Sequence, residues 1–172
     1  TDAPGEGFLA EVTRQWESAT TAAREAGIRV ISLRIGVVLS TEGGALSKML
    51  TPFRLGLGGP AGNGKQYMSW IAIDDLVGAI HFLLLSPGIE GPVNAVAPAP
   101  STNAEFSRTL GRVLRRPAFL PLPAPAIRLL LGEMGRSLLL EGVRVEPARL
   151  MSAGFTHLYP RLEAALRAEL GC

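Results

Sequence analysis

Apolar residues recur with a helical period over residues 8–26, where Leu9, Val12, Trp16 and Ala19 keep one spacing and Glu11, Arg14, Glu17 and Arg24 lie elsewhere. Gly27 follows as a helix-ending residue. The pattern changes at residues 28–35 (IRVISLRI), a β-branched run that is apolar at nearly every position. Such a run suits a strand covered on both faces, as in a parallel sheet. Helix followed by strand is half of a crossover unit.

Gly43-Gly44 breaks the chain ahead of a helix over residues 45–55, which Pro52 is expected to kink or end. Residues 53–76 (FRLGLGGPAGNGKQYMSWIAIDDL) then place five glycines within ten positions, ahead of Lys65, Gln66, Tyr67, Trp70 and the pair Asp74-Asp75. Glycines let backbone approach a ligand closely, and they also make plain surface turns such as Asn63-Gly64. Residue types alone leave both readings open.

A short strand over residues 68–73 leads into a helix reaching about Leu85, with Asp74 or Asp75 as its expected N-cap. Residues 92–96 form a further strand and 97–101 a loop. Thr102 to Glu105 has capping-box spacing, and Phe106, Leu110 and Val113 give the helix behind it an apolar stripe. Beyond a proline-rich stretch at 117–125, helices are expected at 126–132, from Pro147 through Met151, and after Tyr159-Pro160; a leucine run fills 138–140. The order divides the chain into an α/β portion, residues 1–100, and a mostly helical subdomain, residues 101–172.

Composition narrows the class. A chain of 172 residues with 47% hydrophobic and 19% charged residues is globular and long enough for a real core. The net charge of +2, carried by fifteen arginines and two lysines, is too small for a nucleic-acid-binding footprint. The arginines at 108, 112, 115 and 116 read as a solvated helix face whose charge suits the helix C-terminus. One cysteine, Cys172, excludes an internal disulfide framework and fits a reducing compartment. No apolar run has the ~18–20 residues of a membrane span. The opening Thr-Asp-Ala-Pro-Gly-Glu-Gly reads as a linker, and the chain as a fragment or processed product.

Several chemistries are not encoded. His81 and His157 stand alone, so no metal site is expected. Residues 59–65 (GPAGNGK) mimic a P-loop, but Gln66 occupies the hydroxyl position and no helix begins there. The glycines at 56–59 follow no buried strand, so they are not a dinucleotide fingerprint.

Five pieces carry a family resemblance: 8–17 (FLAEVTRQWE), 33–76, 91–106 (GPVNAVAPAPSTNAEF), 116–134 (RPAFLPLPAPAIRLLLGEM) and the tail from 145 to 166. They resemble the C-terminal half of the nucleoside-diphosphate-sugar epimerase-like branch of the short-chain dehydrogenase/reductases, in its atypical extended group. The resemblance implies an α/β fold, the C-terminal part of a Rossmann-like NAD(P)-binding domain with a mostly helical C-terminal subdomain of unassigned activity. NADP or NAD would be bound mainly by the N-terminal half. Arg34, Gly36, Val37 and Val38 are implied beside the nicotinamide. The loop at 53–70, with Arg54, Lys65, Gln66 and Trp70, is implied to face the substrate. Asp74 and Asp75 match helix-start acids of a structural motif, and Ala72 stands where the group commonly has histidine.

Two departures bear on activity. The glycine-rich nucleotide turn would lie upstream of Thr1, and the superfamily's Tyr-x-x-x-Lys pair has no match at residues 8–13, so the catalytic residues stay unassigned. The resulting expectation is the C-terminal half of an NAD(P)-dependent oxidoreductase or epimerase acting on a small molecule, with a nucleotide sugar as one candidate. The alternative is a non-catalytic dinucleotide-binding or scaffold protein of the same fold. A cytoplasmic location, no nucleic-acid or membrane partner and room for a homodimer complete the expectation.

Overall fold

The computed structural model describes residues 7–122 and 142–172. Helices α1 (Phe8–Ser18) and α2 (Thr21–Glu25) precede strand β1 (Ile31–Ile35), which runs through Gly36 into β2 (Val37–Leu39). Helix α3 (Gly44–Arg54) and the glycine loop lead to β3 (Tyr67–Met68) and β4 (Trp70–Ala72). Then come α4 (Ile73–Leu85), β5 (Gly91–Ala95), β6 (Ser101–Thr102) and α5 (Asn103–Leu114). After residue 141 the described chain holds α6 (Ala148–Ser152) and α7 (Leu162–Leu170). The helix expected at 126–132 and the leucine run at 138–140 lie outside the described residues.

The strands form a fork. β1 pairs in parallel with β5, Ile31 opposite Gly91 through Ile35 opposite Ala95, whereas β2 pairs in parallel with β4. The switch of partner falls at Gly36, whose N–H donates to Ala95 O at 3.1 Å, while Val37 N–H donates to Ser69 O at 2.8 Å. A Cβ at Gly36 would press into the Ser69 carbonyl oxygen and sit 2.8 Å from Val96 Cγ1, so only glycine lets three backbones meet there. A short antiparallel pair joins β3 to β6.

One cluster of buried side chains combines Leu39, Leu46, Leu50, Phe53 and Trp70 with Phe106, Leu110 and Leu166, so elements on both sides of residue 100 share a core. A second packs Ala79 and Leu83 of α4 against Val93 of β5 and Leu150 of α6. The carbonyls at the end of α4 find a donor in Arg29, whose guanidinium reaches Leu83 O at 3.1 Å, Leu84 O at 3.1 Å and Ile89 O at 3.0 Å.

Four expectations are corrected. The first helix is two, broken around residues 19 and 20. Pro52 lies inside α3 and does not end it, since the helix continues to Arg54. β1 is only half covered, with Ile35 50% exposed, because its second edge pairs with no strand among the described residues and borders a cleft. Neither acid caps α4: the N-cap is Ala72, which makes no side-chain cap bond, and Asp75 turns inward instead.

The capping box forms as read. Thr102 Oγ1 accepts from Glu105 N–H at 3.2 Å, and Glu105 Oε2 accepts from Thr102 N–H at 2.8 Å. Those bonds from Thr102 hold the Glu105 carboxyl below the usual carboxylate range. A depressed folded-state value stabilises above the unfolded value of 4.5 and loses that contribution as pH falls through it. Replacing Glu105 by Gln is therefore expected to cost about 0.5 kcal/mol at neutral pH, a figure reduced for solvent exposure. The gap between the two proteins in urea unfolding should close at acid pH; an undiminished gap there would count against the box.

Candidate functional site

A cleft of about 1060 Å³ opens over β1. α1 forms one wall through Thr13, Arg14, Trp16 and Glu17; Ile31 to Gly36 form the floor; Ser69, Asn94 and Val96 close the end. Residues 143–146 supply the opposite wall. Trp16, Ile35 and Val143 are 71%, 50% and 70% exposed, so much of the lining is apolar and open.

α1 is held to the floor by charge. Arg34 Nε and Nη2 donate to the two carboxylate oxygens of Glu17 at 2.8 and 2.9 Å. This bidentate pair pulls the Glu17 carboxyl below its usual range and raises Arg34 further above its already high value. Arg14 is likewise tied to Glu11 at 2.6 Å.

Arg34 and Gly36, expected beside the nicotinamide, both line this cleft. Val37 and Val38 lie one step further along, paired with Trp70 and Ile71 in the sheet, and are not part of the lining. None of the four residues expected to face a substrate lines it either. Arg54 and Lys65 are exposed. Gln66 Nε2 donates to Ala61 O at 2.9 Å within its own loop. Trp70 is fully buried, with its indole N–H on Ala99 O at 3.1 Å; a large apolar ring with a single donor is well satisfied there.

The glycine loop is a packed corner. Asn103 Oδ1 accepts from Ala61 N–H at 2.7 Å, and Ala104 N–H donates to Gly64 O at 2.9 Å, pinning the loop to the start of α5. On its other side Leu120 N–H reaches Gly58 O at 3.2 Å and Leu122 N–H reaches Pro60 O at 2.9 Å. A Cβ at Gly59 would overlap the Leu120 backbone, so this glycine serves close approach of two chain segments.

Sequence reasoning missed two groups of residues. Segment 142–147 crosses the cleft although its pattern signals no element; Val143 and Val145 alternate, the one weak sign of extended backbone. Asp75 has the position of a cap in the sequence, yet its carboxylate reaches across the fold to residues 158 and 159. Among the described residues no cluster of histidine, cysteine or carboxylate groups suits a metal, and no helix is long and apolar enough to cross a membrane.

Comparison with known proteins adds four findings. Residues 122–169 match the DUF1731 domain, a domain of unknown function. An epimerase family protein of Mycobacterium bovis is 46% identical over 165 residues, 96% of this chain and 55% of that protein. Human epimerase family protein SDR39U1, crystallised with NADPH, superposes with a TM-score of 0.91 at 39% identity over 99% of this chain and 58% of that one. The nucleoside-diphosphate sugar epimerase of Corynebacterium glutamicum superposes at 0.78 with 37% identity, covering 97% of this chain and 32% of that one. The chain thus spans about half the length of the curated relatives it matches.

Proposed function

This chain belongs to the nucleoside-diphosphate-sugar epimerase-like family, of which it represents a C-terminal part, and from that premise we propose that it is the ligand-side portion of an NADP(H)- or NAD(H)-dependent oxidoreductase or epimerase. The observation that carries the reading is the cleft itself. It lies over β1 and reaches the carboxyl end of a parallel pair, the place where open α/β sheets bind ligands.

The residues fit the nicotinamide end of such a cofactor. Ile35, half exposed, offers an apolar surface for a flat ring, and the main chain at Gly36 borders the same end of the cleft. When bound, the cofactor would supply hydride transfer, which no side chain can. The chain's own part is to position. Arg34, locked to Glu17, fixes α1 against the floor, and segment 143–146 limits access of water from the far side. Arg54 and Lys65 face solvent away from this cleft, so we place substrate contacts on its walls and leave the glycine loop a supporting role.

A second reading, a dinucleotide-binding protein without turnover, is favoured by α1. The face it turns to the cleft offers Ala10, Thr13, Arg14, Trp16 and Glu17, with neither the tyrosine nor the lysine of the superfamily's pair. The full-length protein that carries this chain is expected to bind NADPH with a Kd in the micromolar range or below by calorimetry, a binding energy of about 8 kcal/mol or more. Absence of binding to both NADPH and NADH would overturn both readings. Cofactor-dependent turnover of any carbonyl compound or sugar nucleotide decides for the first.

A further inference from the structure

The wall formed by residues 142–147 lies within the domain of unknown function, and its path is fixed at several points. The Ser69 hydroxyl donates to Val143 O at 2.7 Å and accepts from Val145 N–H at 2.9 Å, so one side chain satisfies the segment as a neighbouring strand would. Asn94 Nδ2 donates to Glu146 O at 3.2 Å. Gly142 passes so close to Tyr67 that a Cβ would overlap the Tyr67 main chain, and Pro147 is fully buried. A segment held this way is a built wall and not a surface loop that happens to lie nearby.

Arg144 sits on that wall with its guanidinium 5.7 Å from the centroid of the Tyr67 ring. Stacking on the ring face orients a guanidinium while leaving edge N–H groups for a ligand. Three arginines line the cleft, and they differ in how far their charge is committed. Arg34 makes two short bonds to Glu17, and Arg14 makes one of 2.6 Å to Glu11. Among the described residues Arg144 has one ion pair, of 3.3 Å with Glu146, both side chains being about 60% exposed. An exposed pair of that length is worth little and is readily exchanged for a better acceptor.

We propose that residues 142–147 are the ligand-selecting wall of the cleft and that Arg144 binds an anionic group of the substrate, phosphoryl or carboxylate. The proposal rests on the substrate occupying this cleft, and it gives the domain of unknown function a definite task. Glu146 is the competitor that the incoming anion displaces, and Tyr67 and Ser69 position the arginine.

The test uses the full-length protein that carries this chain, titrated calorimetrically with inorganic pyrophosphate and with malonate, with saturating NADPH and again without it. At least one probe binds, and which one identifies the anionic group. Arg144→Gln weakens that binding by about tenfold or more, Arg144→Lys retains part of it, and Glu146→Gln strengthens it by about twofold to threefold. Binding of neither probe, or equal binding by Arg144→Gln and the parent, overturns the proposal. So does a loss in Glu146→Gln as large as in Arg144→Gln, which would mean that the pair only braces the wall. Failure of NADPH to bind strikes the cofactor reading alone, because the titrations without it still report on Arg144.

Discussion

Replacing Trp70 by alanine is expected to cost about 3–5 kcal/mol of stability, roughly 6–20 °C in Tm for a chain of this size. The ring is fully buried among Leu39, Leu46, Phe53, Phe106, Leu110 and Leu166, which come from β2, α3, α5 and α7. A hole there would loosen four elements at once, and the surrounding backbone is poorly placed to collapse into it. Trp70 O also accepts from Ala97 N–H at 2.6 Å and the indole N–H from Trp70 reaches Ala99 O, so the residue ties the fork of the sheet to the chain leaving β5. Trp70→Phe keeps most of the buried area and loses one hydrogen bond, for about 1–2 kcal/mol. A substrate-facing tryptophan would behave otherwise: alanine would weaken ligand binding with little change in thermal unfolding. That outcome, read by calorimetric ligand titration beside a melting curve, would move Trp70 from the core to the site.

The same residue shows what a sequence can and cannot disclose. Local signals were legible because their causes are local. Thr102 and Glu105 announce a capping box by spacing alone, and the box forms. The run 28–35 announces a parallel strand, and β1 pairs in parallel with β5. What stayed hidden depends on which distant segment arrives. Nothing near Trp70 tells whether its ring meets α5 and α7 or a ligand, and nothing near Ser69 foretells that its hydroxyl will hold residues 143 and 145. Charge pairing hides for the same reason: Glu17 and Arg34 are separated by a turn, a second helix and a strand start before they meet. The fold class was therefore readable, while the cleft, made where α1, β1 and the 142–147 segment converge, was not.

Asp75→Ala is expected to lower stability by about 3–5 kcal/mol, whereas Asp74→Ala should cost about 1 kcal/mol or less. The sequence presents the two acids as equals at a helix start, and geometry separates them. Asp75 is 2% exposed; its Oδ1 accepts from Leu158 N–H at 2.6 Å and its Oδ2 from Tyr159 N–H at 3.0 Å. Removing the carboxylate leaves two main-chain donors without acceptors at a partly buried site, each costing about 1–3 kcal/mol. The turn that carries them is braced again by His157 Nε2 on Val96 O at 3.0 Å and by the edge of the His157 ring against Phe155, with centroids 4.9 Å apart. Asp75 thus fastens the approach to α7 onto the first turn of α4, and with it the part of the chain that also contributes the cleft wall. Asp75→Asn keeps the shape but offers an amide where a second acceptor is needed, so its loss should fall between those of the alanine variants. Chemical denaturation of the three proteins checks the order: equal losses at Asp74 and Asp75 would show that both act through the helix dipole. If the order holds, Asp75→Ala should also weaken whatever anion Arg144 binds, because the wall and the turn belong to one fastened segment.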